Sequence, residues 1–235
     1  MTNIAAVLFD KDGTLFDFAA SWGAWAHDFL GSISSSQIQA AVLGQAIGYD
    51  WHARAFTADS PVIAGTAEDI AQALAVALPD LSRDDVADLI NRAAARAQMV
   101  PAVALKPLLG ELKAMGLKIG LATNDAEAAA RAHLETHDLT DFFDFIAGYD
   151  SGHGAKPAPG MCQAFARAMD LDPHRVVMVG DSLHDLHAGQ AAGMRRVAVL
   201  TGMAGAGELR PHADAVMRDI GGLPEWLRAR AAAEV

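Results

Sequence analysis

Two aspartates near the amino terminus are the first residues of this chain that could do chemistry. They follow an apolar run, residues 4–9, within the order Asp10-Lys11-Asp12-Gly13-Thr14. Two carboxylates placed two residues apart at the end of a buried strand are costly to keep charged unless a cation lies between them. A metal ion and an incoming electrophile are the simplest such partners. Asp10 and Asp12 are therefore the leading candidates for catalysis.

Three later segments bring side chains that suit the same reaction. Thr123 and Asn124 place a hydroxyl and an amide before a predicted helix, whose first backbone N–H groups can also bind phosphoryl oxygens. Lys156 lies in a loop and could neutralise negative charge on a nucleophile and on a transferring phosphoryl group. Asp181 ends another apolar run, and Asp185 follows four residues later. These segments predict a phosphoryl-transfer site.

The elements that must position these side chains are short apolar strands. Strands without polar alternation are buried on both faces, which is typical of a parallel sheet covered by helices. The predicted strands cover residues 4–9, 117–122, 175–179 and 196–200, and the helices between them cover 105–115, 125–137, 159–169 and 184–192. This alternation predicts a doubly wound α/β fold, which binds ligands at the carboxyl ends of its strands.

The segment between the first strand and residue 100 has a different pattern. Its Ala-rich stretches predict helices over residues 19–30, 36–46, 66–78 and 82–99, and no strand of the first type occurs there. Acidic pairs early in the third and fourth stretches suit the positive ends of helices. We therefore expect an all-helical cap over residues 18–100, inserted into a core made of residues 1–17 and 101–235, with Pro101 near the return boundary.

The four segments together resemble the ordered motifs of the haloacid dehalogenase (HAD) superfamily, in its phosphatase branch with a helical cap. The resemblance runs from Val7 to Leu200 and implies a Rossmann-like core. Within that superfamily the position of the cap and the Asp-Gly-Thr-Leu run look most like phosphoglycolate phosphatases. The implied activity is hydrolysis of a small phosphorylated metabolite, with a phosphoglycolate-like substrate.

Beside the resemblance, physical chemistry gives each aspartate a role. The carboxylate of Asp10 could attack phosphorus and form an aspartyl phosphate, which divides one difficult displacement into two easier ones. Asp12 would protonate the departing alcohol and later deprotonate the hydrolytic water, since a two-residue offset along an extended strand end places both side chains on one face. Gly13 is both a turn former and a candidate substrate-binding residue.

The metal implied by these side chains is magnesium. Asp10 and Asp181 offer hard oxygen ligands, and water would fill the remaining positions. The sequence has no cluster of Cys or His ligands with the spacing of a zinc site. The resemblance implies, in addition, that the backbone carbonyl of Asp12 helps hold the metal. It also implies that Asp185 lies in the outer coordination sphere or anchors its loop.

Four other functions compete with this interpretation. A calcium-binding loop beginning at Asp10 would need a bidentate Glu where this chain has Ser21. A sugar phosphomutase of the same superfamily shares both aspartates, but no cap loop resembles the mutase pattern. A 2-haloacid dehalogenase has no use for an acid at position 12 or for magnesium. A catalytically silent binding module would have no need of so costly a cluster of charges.

Composition excludes several classes of partner. The chain has 235 residues and a net charge of -11, which disfavours sequence-independent attraction to nucleic acid or to an anionic membrane. Cys162 is the single cysteine, so no intrachain disulfide forms, and a cytoplasmic location is expected. The sequence shows no pattern typical of a secretion signal or of a membrane-spanning run, so neither secretion nor membrane insertion is expected. The sequence does not indicate an oligomeric state.

Three features of the chain fit the superfamily pattern less directly. Lys11 stands where related phosphatases carry an apolar residue, and its charge is expected either to draw an anionic substrate or to point to solvent. Trp22 and Trp25 recur at helical spacing and predict an apolar stripe on the first cap helix rather than a substrate cage. Arg54 in a cap loop is expected to face solvent rather than to bind a carboxylate.

Overall fold

The computed structural model describes residues 4–233 and contains a six-stranded parallel sheet with helices on both sides. In chain order the strands are β1 (Ala6–Phe9), β2 (Tyr49–Asp50), β3 (Ala55–Phe56), β4 (Lys118–Ala122), β5 (Phe145–Ala147), β6 (Val176–Gly180), β7 (Arg195–Val199) and β8 (Ala215–Met217). The large sheet has the order β5-β4-β1-β6-β7-β8. The doubly wound α/β fold that the apolar runs predicted is therefore confirmed.

The three central strands bring their carboxyl ends to one level. Phe9 of β1 pairs with Leu121 of β4 on one side and with Val179 of β6 on the other. Every residue of β1 and β6 is buried, which explains why neither strand alternates apolar and polar residues. Whatever follows these three strands must therefore lie at a common edge of the sheet.

The described residues form ten α-helices. Some surround the large sheet, and the others lie between β1 and β4 in the chain. The ten helices are α1 (Phe18–Ser32), α2 (Gln37–Ala46), α3 (Ala67–Leu74), α4 (Arg83–Ala94), α5 (Leu105–Ala114), α6 (Glu127–Thr136), α7 (Gly160–Ala168), α8 (Leu183–Ala191), α9 (Ala206–Leu209) and α10 (Leu223–Ala233). The helices α1 to α4 fall within the segment predicted to form the cap.

The cap segment is helical as predicted, with one addition. Both α3 and α4 begin in capping boxes. The side chain of Thr66 accepts a hydrogen bond from the backbone N–H of Asp69, whose carboxylate accepts one from the backbone N–H of Thr66. Ser82 and Asp85 form the same pair of bonds at the start of α4. A two-stranded antiparallel pair, β2 with β3, interrupts the helices. The helix predicted to reach residue 99 ends at Ala94. One apolar cluster runs without a break from β1 into α1 and α2, so cap and core share packing.

The sequence did not predict the two edge strands of the large sheet. β5 and β8 have three residues each and are only partly buried over most of their length, so neither forms an apolar run long enough to recognise. Cys162 lies fully buried in α7, as expected for a small apolar residue on a helix, and burial raises the pKa of its thiol to about 12. Within the described residues, none of the helices has the length and hydropathy to cross a bilayer.

Candidate active site

The carboxyl ends of the central strands place the predicted catalytic groups around one cavity. Asp10 follows β1, Thr123 lies one residue beyond β4, and Asp181 follows β6; all three side chains are buried. The cavity has a volume of about 60 Å³, which is room for about four to six water molecules. The parallel register, rather than proximity in sequence, therefore assembles this site.

Lys156 lies between two of the carboxylates. Its Nζ is 2.5 Å from Asp10 Oδ1 and 2.6 Å from Asp185 Oδ1, and all three side chains are buried. The two carboxylates raise the pKa of the Lys156 ammonium against the opposing effect of burial, which is the larger single influence. Lys156 therefore stays charged beside Asp10.

The amide of Asn124 forms hydrogen bonds to backbone groups of both the core and the cap. Its Oδ1 accepts from the backbone N–H of Lys156 at 2.8 Å, and its Nδ2 donates to the carbonyls of Lys156 and Ala64, at 2.9 and 2.8 Å. Both amide hydrogens are used, so Asn124 offers no free N–H to a phosphoryl group in this arrangement. Instead it holds the Lys156 loop and ties it to the cap. The hydroxyl of Thr123 lines the cavity beside it.

Three buried aspartates form a group that fits a divalent cation. Carboxylate oxygens of Asp10, Asp181 and Asp185 lie within 4.8 Å of one another. Burial raises the pKa of Asp10 to about 7 and that of Asp181 well above its usual value, and the neighbouring carboxylates add to both shifts. Asp181 Oδ2 is buried and has no hydrogen-bond partner among the described residues. A hard cation would satisfy that oxygen and offset the repulsion.

Asp185 differs from the other two members of this group because both of its oxygens are occupied. Oδ1 accepts from Lys156, and Oδ2 accepts from the N–H of Ser182 at 3.1 Å and from its hydroxyl at 2.6 Å. The second pair of bonds forms the capping box that starts α8. Asp10 and Asp181 therefore have the carboxylate oxygens that are free to bind a metal.

Gly13 gives Asp181 the space it needs. Its φ of +77° lies in the left-handed region, and a Cβ at this position would overlap the Asp181 carboxylate. The carbonyl of Gly13 accepts a hydrogen bond of 2.6 Å from the Thr201 hydroxyl, which fixes the turn after Asp12. Both the backbone conformation and the close approach therefore require glycine.

Lys11 corrects both expectations stated for it, because it neither points to solvent nor faces the substrate. It is completely buried, and its Nζ lies 2.8 Å from Asp12 Oδ1, 3.1 Å from Asp125 Oδ2 and 3.1 Å from His133 Nδ1. Asp12 and His133 accept hydrogen bonds from this ammonium, and Asp125 forms an ion pair with it. The two carboxylates raise the pKa of Lys11 although burial opposes them.

The geometry around His133 determines its protonation state. Nδ1 faces the Lys11 ammonium, which can only donate, and Nε2 lies 2.8 Å from the carbonyl of Ala94, which can only accept. His133 must therefore be neutral with its proton on Nε2. Burial, followed by the charge of Lys11, lowers its pKa to about 4, in agreement with that assignment. Since Ala94 ends α4, this bond also joins core to cap.

Asp12 receives a second hydrogen bond from the cap. The indole Nε1 of Trp22 donates to Asp12 Oδ1 at 2.8 Å, and the Lys11 ammonium lies 5.2 Å from the Trp22 ring centre. Trp22 and Trp25 pack edge to face within the apolar cluster, as their spacing predicted, but both also line the cavity. The expected apolar stripe is therefore present, and its two tryptophans also line the cavity.

A comparison with protein families decides the relationship of this chain to known proteins. The family described as haloacid dehalogenase-like hydrolase matches residues 4–193, which cover the four motif segments and the whole cap. The chain belongs to that family. The superfamily resemblance that the order of the motifs predicted is confirmed. As a member of this hydrolase family, the chain is an enzyme.

Individual relatives agree with this assignment. The pyrophosphatase PpaX of Bacillus cereus (strain B4264) is 33% identical over 109 residues, which cover 46% of this chain and 50% of the relative. A HAD phosphatase from Thermococcus onnurineus has a TM-score of 0.65 at 25% identity, covering 95% of this chain and 98% of that one. A predicted phosphoglycolate phosphatase from Haemophilus somnus 129PT has a TM-score of 0.69 at 19% identity, covering 96% and 98%. The curated relative thus matches over only half its length.

Sequence reasoning missed three functional neighbours in this HAD hydrolase, namely Trp22, Asp125 and His133. A signal for His133 exists in α6, where Ala129, Ala130 and Leu134 are buried at helical spacing and His133 shares their face. A histidine in an apolar stripe, together with an unexplained charge at Lys11, would have indicated a buried polar contact. No comparable local signal marks Asp125, because the turn it occupies is rich in polar residues.

Proposed function

We propose that this HAD hydrolase is a magnesium-dependent phosphatase that cleaves a small phosphorylated metabolite through an aspartyl phosphate on Asp10. One observation carries the proposal: a buried carboxylate in contact with a lysine stands beside a second carboxylate, Asp181, whose buried Oδ2 has no hydrogen-bond partner among residues 4–233. Asp12 lines the same cavity and can serve the leaving group. A nucleophile, an electrostatic clamp and an acid thus converge on one small volume.

The proposed reaction has two steps that reuse the same residues. In the first, an oxygen of Asp10 bonds to phosphorus while the bond from phosphorus to the alcohol oxygen breaks, and Asp12 gives that oxygen its proton. In the second, Asp12 takes a proton from water, the water oxygen attacks phosphorus, and the bond to Asp10 breaks to release inorganic phosphate. Lys156 and the Thr123 hydroxyl would hold the phosphoryl oxygens in both steps.

The proposed magnesium ion would be held by the side chains of Asp10 and Asp181 and by the backbone carbonyl of Asp12. Its positive charge would offset the charge of the phosphoryl group against the carboxylates. Asp185 would act on the metal only indirectly, through Lys156 and through the start of α8 that it caps. The substrate is proposed to resemble phosphoglycolate in size, because the cavity is small.

Two alternative reactions are less well supported. A dehalogenase displaces halide from carbon and needs no proton donor at position 12, whereas here Asp12 reaches the cavity and is held there by Lys11 and Trp22. A phosphomutase must bind a sugar phosphate in two orientations, which requires polar groups on both sides of the reacting phosphorus. The cap side chains that line this cavity carry no charge, and two indole N–H groups are their only hydrogen-bonding groups, which favours the hydrolase.

Chelation tests the metal assignment. We expect excess EDTA to lower the rate of p-nitrophenyl phosphate hydrolysis by at least about 100-fold, because Asp10 and Asp181 would then repel the phosphoryl oxygens. Excess Mg²⁺ should restore the rate. Turnover that persists unchanged after chelation and dialysis would rule out a metal-dependent mechanism, and a recovery only with Zn²⁺ would rule out magnesium.

Leaving-group dependence tests the acid role of Asp12. The variant Asp12→Asn should lose at least about 100-fold in kcat/KM with alkyl phosphates but much less with p-nitrophenyl phosphate, because p-nitrophenolate departs without needing a proton. The measurement is a plot of log kcat/KM against leaving-group pKa for both proteins. A uniform loss across the series would contradict proton donation by Asp12.

A further inference from the structure

The cavity has two chemically different halves. Its inner half is lined by the core, where five carboxylates and one ammonium, that of Lys156, face the space. Its outer half is lined by the cap. The cap side chains there carry no charge and are apolar apart from two indole N–H groups, of which that of Trp22 donates to Asp12; the largest are Trp22, Trp25, Val62, Ile63, Ile70 and Ile90. The inner half suits a phosphoryl group and the outer half must therefore receive the leaving group.

The cap brings no cation to this outer half. Residues 18–100, all of which the structure describes, contain four arginines and no lysine. All four arginines are exposed, and none of them lines the cavity; they are Arg54, Arg83, Arg92 and Arg96. The two cap histidines do not line it either, since His27 stacks on Trp51 and His52 is exposed. An anionic leaving group would find no counter-charge here.

The cations of the core are already committed. Lys156 contacts Asp10 and Asp185, and the proposed phosphoryl site uses its remaining capacity. Lys11 is completely buried behind Asp12 and has three partners. His184 also lines the cavity, and burial lowers the pKa of its imidazole. Among the described residues that line the cavity, a second negative group on the substrate would therefore find no cation without a partner.

We propose that this enzyme acts on phosphate monoesters whose leaving alcohol is uncharged and apolar, alkyl or aryl, and discriminates against esters that carry a carboxylate or a second phosphate there. This proposal rests on the proposed phosphatase function and specifies its substrate class. Burying an unpaired carboxylate against Ile63 and Ile90 is strongly unfavourable, whereas burying a hydrocarbon of the same shape is favourable. Specificity would then come from the cap lining rather than from the motifs.

Two matched substrate pairs test the proposal. Isobutyl phosphate has nearly the same shape as phosphoglycolate, with two methyl groups in place of the carboxylate oxygens, and phenyl phosphate is matched to 4-carboxyphenyl phosphate. We expect kcat/KM to be about 30-fold or more higher for the uncharged member of each pair. Glycolate is intrinsically the better leaving group, so reactivity alone would favour the opposite order in the first pair.

The possible outcomes distinguish a failure of the proposed substrate class from a failure of the proposed phosphatase function. If both carboxylate esters are hydrolysed as well as their uncharged partners or better, the substrate class is wrong while the phosphatase function stands. If none of the four esters is hydrolysed with Mg²⁺, the phosphatase function fails and the substrate class fails with it.

A cap variant provides an independent measurement. Ile63 is only partly buried, so Ile63→Lys should fold, and Ile63→Met controls for the change in size. We expect Ile63→Lys to raise the ratio of kcat/KM for phosphoglycolate over isobutyl phosphate by about tenfold or more, because it supplies the missing counter-charge. Ile63→Met should leave that ratio unchanged. Equal ratios in the two variants would show that the cap lining does not select against charge.

Discussion

The variant Asp10→Asn should hydrolyse p-nitrophenyl phosphate with Mg²⁺ at least about 10³-fold more slowly than the parent, because an amide cannot replace the carboxylate as a nucleophile. Acid quenching during turnover should trap one phosphoryl group on the parent, on the peptide that contains Asp10. The same treatment of the variant should trap none. Mass spectrometry of the digested protein measures both outcomes.

Stability separates loss of the nucleophile from loss of the fold. Burial and the neighbouring carboxylates raise the pKa of Asp10 to about 7, so its charged form is unfavourable in the metal-free protein. We therefore expect metal-free Asp10→Asn to unfold at a temperature equal to or above that of the parent. Asp88→Asn, at a carboxylate of which 72% is exposed, is the matched control and should retain full activity. Activity near the parent level in folded Asp10→Asn would refute the covalent mechanism.

Lys11→Met should lower the free energy of unfolding by about 3–5 kcal/mol, because it leaves two buried or partly buried carboxylates without their shared cation. For a chain of this size that loss corresponds to a fall in Tm of about 6–20 °C. Methionine has a similar length and carries no charge. Thermal unfolding followed by circular dichroism measures the difference.

The pH dependence of this loss has a definite sign. Burial raises the pKa of Asp125 even with Lys11 present, and removal of the lysine charge would raise it further. A carboxyl group whose folded pKa exceeds its unfolded pKa costs stability as the pH rises between the two values, and costs nothing below both. The gap in Tm between parent and Lys11→Met should therefore narrow as the pH falls from neutral toward the unfolded pKa of aspartate.

Two further variants show whether the charge is the cause. Lys11→Met with Asp125→Asn should recover part of the lost stability, since the second change removes one unpaired charge. Lys106→Met removes a lysine that is half exposed and pairs with exposed Asp138, so it should change stability little. If Lys11→Met is as stable as Lys106→Met, the buried contacts of Lys11 contribute nothing measurable.

Hydrogen bonds around Lys11 and Asn124 join the cap to the residues that follow the central strands. Trp22 of α1 donates to Asp12, and His133 of α6 reaches the last carbonyl of α4 while its other nitrogen faces Lys11. Asn124 adds a third connection, to the carbonyl of Ala64 in the loop before α3. Asp12 and Lys156 are therefore held partly by the cap.

Much of the core architecture follows from local pattern. The apolar runs without alternation indicate strands buried on both faces, and their order with intervening helices allows few topologies. Motif residues that directly follow a strand, such as Asp10 and Asp181, must then lie at one edge of the sheet. The short strands β5 and β8 were not predicted, because three partly buried residues form no recognisable apolar run.

The sequence by itself determined the fold class, the family and the residues at the strand ends, since each depends on spacing along the chain. Only the tertiary structure decided the environment of Lys11, the commitment of the Asn124 amide and the apolar lining supplied by the cap. Those properties depend on which side chains meet across the fold. Lys11 and His133 are 122 residues apart, and a charge that would face water on an isolated strand end is satisfied only by groups that packing brings to it.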